Sequence, residues 1–340
     1  MNCENTQYTP LTDEQRQQII TLVKQQVIPA MGCTEPICVA LAVARATEEL
    51  GARPVRIKVL LSSNILKNAM GVGIPGTGMV GLPIAIALGA TIGRSSYGLE
   101  VLKDCSPEAV EAGKDYIGQG RIDIQHKEDA PEKLYVEVHV YGADDTHACV
   151  IISQRHTQYI YIENNGQVVM DQRHGGTSAA TSQSTAEVEL TLRRVYDFAI
   201  SVDTAELDFL LKGAQMNTAA AETSFAEQYG HGLGRLLRAN TLSATPEMQR
   251  LFGDTLFTKI ISYTCGACDA RMSGAMVQVM SNSGSGNQGI SCSIPVYLYA
   301  KENGCSQEQT LRALALSNLS VIYIKQSLGR LSALCGCVVA

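Results

Sequence analysis

Hydrophobic and polar positions change their period twice along the chain. Thr12 or Asp13 can cap a helix over 12–28, where Ile19, Ile20, Val23 and Val27 share one face. A more apolar helix is predicted over 36–50, started by Pro36 and closed by Gly51. The period then shortens to two. Residues 55–61 and 134–141 alternate like half-buried strands, and 148–153 is a short apolar run of strand type. Two further strands, 156–162 and 167–170, flank the turn signal Asn164-Asn-Gly166. Residues 106–117 read as a helix between strands. After a small-polar linker at 175–185, helical periods return at 186–202, 204–229, 246–263 and 306–327. The expected fold class is α+β. A mostly helical domain is expected to span 1–52 and 173–340, with a mixed α/β domain inserted at 53–172.

Composition narrows the functions. The 340 residues are 45% hydrophobic and 18% charged, which excludes a disordered chain. The net charge of -6 argues against a general nucleic-acid binder. The apolar run 79–93 has 15 residues and contains Pro83. A membrane-spanning helix needs about 20, so no membrane partner is expected. The first ten residues are polar, without a basic start or an apolar run. A cytoplasmic address follows, with the thiols of the eleven cysteines kept reduced.

Several stretches carry candidate chemistry. Cys33 sits just before a helix, where unpaired N–H groups and the helix dipole favour thiolate; a small buried residue before a cap is the plainer reading. Cys38 faces the helix interior and reads as packing. The segment Gly71-Val-Gly-Ile-Pro-Gly76 matches GxGxxG, but a helix-like stretch precedes it and Pro75 lies inside it, which rejects a dinucleotide fingerprint. It is expected to be either a backbone nest for a carboxylate or a closely packed loop. The polar stretch 281–289 reads as a loop whose N–H groups, with Asn287 and Gln288, can grip a small anion. Cys265-Gly-Ala-Cys268 is a lone CxxC among helices, too little for a zinc site. Cys335-Gly-Cys337 lies in an apolar setting that suits either an iron–sulfur ligand or ordinary core. No histidine stands in a catalytic order.

Taken together, five motifs resemble the L-cysteine desulfidase family, which is related to the α domain of iron–sulfur L-serine dehydratases. They are Cys33-Thr-Glu-Pro36, Lys67-Asn-Ala69 with the following Gly-Ile-Pro-Gly-Thr77, Asp269-Ala-Arg-Met272, Gly284-Ser-Gly-Asn-Gln-Gly289 and Leu331-Ser-Ala-Leu-Cys-Gly-Cys337. The resemblance runs from about residue 10 to the last residue. It implies β-elimination on L-cysteine, giving sulfide, ammonia and pyruvate, with L-serine as the next candidate. It also implies a four-iron four-sulfur cluster held by three cysteines. Cys33 matches the proton acceptor, and Cys337, or alternatively Cys335, matches a cluster ligand. Lys67 or Arg271 is expected to pair with the carboxylate of a small amino-acid substrate, while Asn68, Asn287 and Gln288 orient it. The family pattern continues beyond residue 340 into a Cys-Asp-Gly-Ala-Lys segment that carries the other two ligands, so a shortened chain is expected. An apolar end would expose surface and favour a homo-oligomer. Two rivals stand beside the lyase. One is a cluster-free binding or regulatory protein. The other is a pyridoxal-phosphate lyase, which no lysine pattern recommends.

Overall fold

A computed structural model describes residues 10–173, 188–239, 245–328 and 337. The elements follow in chain order. The first half holds α1 (Asp13–Gln26), β1 (Pro29–Met31), α2 (Thr34–Leu50), β2 (Arg56–Leu61), α3 (Ser63–Ala69), α4 (Leu82–Thr91) and α5 (Pro107–Gly118). Four strands come next: β3 (Ile122–His126), β4 (Tyr135–Tyr141), β5 (His147–Ser153) and β6 (Tyr159–Asn164), with β7 (Gln167–Asp171) after the turn. The second half holds α6 (Leu192–Ser201), α7 (Asp208–Ala226), α8 (Leu233–Arg238), α9 (Pro246–Phe252), α10 (Leu256–Met272), β8 (Gln278–Met280), α11 (Gly286–Glu302) and α12 (Gln307–Leu328). The class is α+β, as the period changes predict.

Caps explain several of the helix boundaries. Thr12 and Gln15 form a reciprocal capping box at the start of α1. Gly51 ends α2 in the left-handed region at φ 71°. Asn165 and Gly166, both at positive φ, turn β6 into β7.

One mixed sheet runs in the order β3-β2-β4-β5-β6-β7, with β2 and β3 parallel and every other pair antiparallel. Alternate residues Ile57, Val59 and Leu61, Val136, Val138 and Val140, and Ala148, Val150 and Ile152 are all fully buried on one face. That face packs against α2, which is apolar nearly all round because α4 covers its other side. Gly89 permits the approach: a methyl there would meet the Ala40 carbonyl oxygen at 2.6 Å. A second core joins α1, α6, α7 and α12, and a third joins α7, α10, α11 and β8.

Several expectations need correction. The stretch predicted as one helix over 246–263 is two. Gly253 ends the first, and the Thr255 hydroxyl caps a new helix that runs on to Met272, with the lone CxxC inside it. The polar stretch 281–289 is a loop only up to Ser285. The Ser285 side chain accepts from the Gln288 N–H and starts α11, so Asn287 and Gln288 stand in a first helical turn. The strand expected at 156–162 begins at Tyr159, which leaves His156 in a turn. Strands β1, β3 and β8 carry no prediction from the sequence. The linker 175–185, Cys335 and most of the apolar ending lie outside the described residues. Among the described residues, no helix is long and apolar enough to cross a membrane.

Candidate functional site

A two-stranded ribbon assembles the site. β1 pairs antiparallel with β8, Ala30 opposite Val279, and each strand feeds a helix N-terminus. β1 leads into α2 through Gly32, and β8 leads into α11 through residues 281–285. The pairing continues past the ribbon, because the Ser281 N–H donates to the Ile28 carbonyl and the Ser283 N–H to the Gln26 carbonyl. Asn217, fully buried on α7, locks β8 from behind. Its amide donates to the Met280 carbonyl at 3.1 Å and accepts from the Met280 N–H at 2.7 Å. The two helix starts then meet where the Thr34 hydroxyl donates to the Gly284 carbonyl at 2.8 Å. Two converging helix N-termini concentrate unpaired N–H groups and positive potential, which suits an anion.

The predicted site residues gather around this meeting point. Cys33 is the N-cap of α2, buried, with Sγ 3.4 Å from Met272 Sδ. Arg271 is only 3% exposed, and its Nη1 donates to Asn287 Oδ1 at 2.9 Å and lies 3.5 Å from Met272 Sδ. A continuous contact path therefore runs from Cys33 through Met272 and Arg271 to Asn287. Gln288 is buried, and its amide nitrogen donates to the Asn282 carbonyl at 3.3 Å. The Asn68 amide donates to Glu35 Oε1 at 3.4 Å, which ties α3 to the start of α2. Lys67 is exposed on α3 beside it. Two polar atoms here are closed off from water and have no hydrogen-bond partner among the described residues: Arg271 Nε, a donor, and Gln288 Oε1, an acceptor. Buried polar groups are nearly always partnered, so both atoms call for a ligand or a water.

The Gly-rich loop does a different job from an anion nest. The Gly73 N–H donates to the Met272 carbonyl, Gly76 to Gly274, and Gly81 to Val72. A methyl on Gly73 would meet the Ser273 backbone at 2.3 Å, so the loop is a closely packed strap across the end of α10. Cys38 is core, as read, and burial pushes its thiol up. Burial likewise pushes Cys268 up to about 12, and the nearby Cys337 thiol adds to the rise. Three participants escaped the sequence reading. Glu35 sits inside a recognised motif, yet its bonds to Thr34 and Asn68 show only in three dimensions. Lys325 is a buried lysine on α12. His156 reaches the loop from the β5–β6 turn: a methyl on Gly284 would sit 3.3 Å from its Cε1.

Comparison with known proteins places this geometry. The serine dehydratase alpha chain family matches residues 96–340. The chain belongs to that family. A UPF0597 protein of Bacteroides fragilis is 58% identical over 330 residues, covering 97% of this chain and 75% of the relative. A UPF0597 protein of Bacteroides thetaiotaomicron is 57% identical over the same length and coverage. One from Oleidesulfovibrio alaskensis is 41% identical over 326 residues, covering 94% of this chain and 73% of the relative. No solved structure matches the chain significantly. Membership makes the chain serine-dehydratase-like, in a family of lyases.

An iron–sulfur cluster needs at least three protein donors gathered at one point. Among the described residues, no three His, Cys, Asp or Glu side chains stand close enough together to hold a metal ion. The described residues therefore do not fit a cluster by themselves.

Proposed function

We propose that this protein is a carbon–sulfur lyase that eliminates the β-thiol of L-cysteine, with L-serine as its next substrate. One observation carries the reading: the two covered, unpartnered atoms at the start of α11 have opposite character. Arg271 Nε–H suits a carboxylate, and Gln288 Oε1 suits an ammonium. An α-amino acid presents that pair on a single carbon. The converging N-termini of α2 and α11 add to the grip on the carboxylate. Arg271 is the better carboxylate partner of the two cations considered, because it is buried whereas Lys67 is exposed.

Cys33 is the proton acceptor in this reading. Its thiolate takes the proton from Cα, and the C–H electron pair becomes the Cα–Cβ double bond. The Cβ–S pair leaves with sulfur as hydrosulfide. The released 2-aminoacrylate tautomerises and is hydrolysed to pyruvate and ammonia. Asn287 holds Arg271 in place through their 2.9 Å bond. The resemblance assigns Cys337, or alternatively Cys335, to a four-iron four-sulfur cluster, and no step above is derived through it. A cytoplasmic setting would keep the thiols reduced.

Ligand selectivity tests the site. L-alanine, which lacks a leaving group, is expected to bind in calorimetry. Its amide and its N-acetyl derivative are expected to bind at least tenfold more weakly, since loss of one matched polar contact costs about 1.4 kcal/mol or more. Equal binding of all three, or binding that survives Arg271→Met unchanged, would count against an amino-acid site.

A further inference from the structure

His156 is the polar group that the elimination above does not use. It lies in the tight turn between β5 and β6, which the Ser153 N–H to Gln158 carbonyl bond closes. The sheet thus delivers a side chain into the helical site. The Cε1–Nδ1 edge of the ring stands against Gly284, the residue whose carbonyl Thr34 binds. Gly284 is at φ 81°, and a methyl there would come within 3.3–3.4 Å of the ring. The glycine is thus what gives the imidazole room beside the start of α11. Part of the residue remains exposed, but Nε2 is closed off from water and has no hydrogen-bond partner among the described residues. It is the third such atom around one loop, after Arg271 Nε and Gln288 Oε1. Those two suit the carboxylate and the ammonium, and the substrate's remaining polar group is the one on Cβ.

We propose that His156 is a catalytic residue of this site, giving a proton to the β-oxygen or β-sulfur as its bond to Cβ breaks. The proposal rests on the lyase reading above. Proton count and electron flow both close. The reacting form pairs a Cys33 thiolate with a His156 imidazolium, the same number of protons as a thiol beside a neutral ring. The thiolate takes the Cα proton, the C–H pair forms the double bond, the Cβ–heteroatom pair leaves, and Nε2–H protonates it. A thiol and a neutral ring remain, and no oxidant or reductant enters. Two charged groups act on the ring, Glu35 from α2 and Lys325 from α12. Burial is the largest effect and holds the imidazole below its usual range; Lys325 works with it and Glu35 against it. A ring that holds its proton weakly is the stronger proton donor.

The two candidate substrates separate this role from a structural one. Hydroxide leaves badly, because the pKa of water is about 15.7, and it needs a proton donor. Hydrosulfide leaves far more readily without one. The experiment compares the full chain with His156→Gln, both supplied with iron and sulfide under anaerobic conditions. The variant is expected to lose about a hundredfold or more in kcat/KM for L-serine and less than about tenfold for L-cysteine. For L-serine it should also lose the fall in rate as pH rises through the titration of His156, while its melting temperature is kept. Equal losses for both substrates, or an unchanged rate with L-serine, would overturn the proposal. A second readout needs no turnover. The His156 Cε1–H resonance, assigned by its absence from His156→Gln, is expected to move when L-serine is added. Movement in a protein that makes no pyruvate refutes the lyase reading while supporting His156 as a substrate contact. A resonance that stays in place refutes the His156 proposal whatever the turnover.

Discussion

Gly286→Ala is a one-methyl wedge aimed at the proposed carboxylate partner. Gly286 opens α11 beside Arg271, and a methyl on it would lie 2.2 Å from Nε, 2.7 Å from Cζ and 2.8 Å from Cδ. Real Cβ contacts essentially never fall below 3.0 Å, so the guanidinium must retreat by the difference, about 0.8 Å. At 3% exposure it cannot swing out into solvent. The 2.9 Å bond to Asn287 Oδ1 is then lost, at a cost of about 1.5–3 kcal/mol for a hydrogen bond to a charged group. Alanine regains about 1 kcal/mol of helix propensity, and a helical position imposes no backbone strain on it. The net destabilisation is therefore about 0.5–2 kcal/mol, a fall of only several degrees in melting temperature for a chain of this size. A misplacement of about 1 Å costs roughly a hundredfold in rate. The expected outcome is a near-hundredfold loss in kcat/KM for pyruvate formation, with folding almost intact by thermal melt. A variant that melts as expected but keeps the wild-type kcat/KM would refute the placement of Arg271 on the substrate.

Other perturbations read other parts of the account. Cys33→Ala removes the proposed base, together with its contact to Met272 Sδ, and should cut kcat by about a hundredfold or more; retained turnover would exclude Cys33 as the base. Asn217→Ala strands the Met280 N–H and carbonyl in the core, each worth about 1–3 kcal/mol, so urea unfolding should show a loss of roughly 2–6 kcal/mol. Glu137, on the outer sheet face, has its pKa lowered from 4.5 to about 2, chiefly by its hydrogen bond to His139, with Lys127 and Tyr135 adding to it against burial. Because the folded pKa is the lower one, this stabilisation is complete above about pH 4.5 and is lost as pH falls towards about 2. It is worth up to about 3 kcal/mol. Glu137→Gln should flatten that stretch of the stability curve, and an unchanged acid limb would contradict the assignment.

The sequence revealed local chemistry more readily than long-range assembly. The capping box at Thr12, the Gly51 stop and the Asn165-Gly166 turn depend on neighbours within four residues, and each is where the pattern places it. Ser285 is equally local, but the polar run around it hid a helix start. The helix predicted over 246–263 ran through Gly253 and Thr255 because apolar spacing continues across a break that only the caps define. The three-residue strands β1 and β8 are too short for any period, yet they set the register that joins Cys33 to the start of α11. Cys33, Arg271 and Asn287 drew attention in the sequence because each lies in a compact, unusual string. His156 was not, since nothing around it in sequence marks it. The role proposed for it depends on Gly284, 128 positions on, and on charges from α2 and α12.

The most direct test of the lyase reading is the release of sulfide and pyruvate from L-cysteine. It is measured without oxygen, after iron and sulfide are supplied and the excess removed, with L-serine in parallel. The account predicts the two products in equal amounts from L-cysteine, and pyruvate alone from L-serine. A folded protein that binds L-alanine but yields neither product would contradict it.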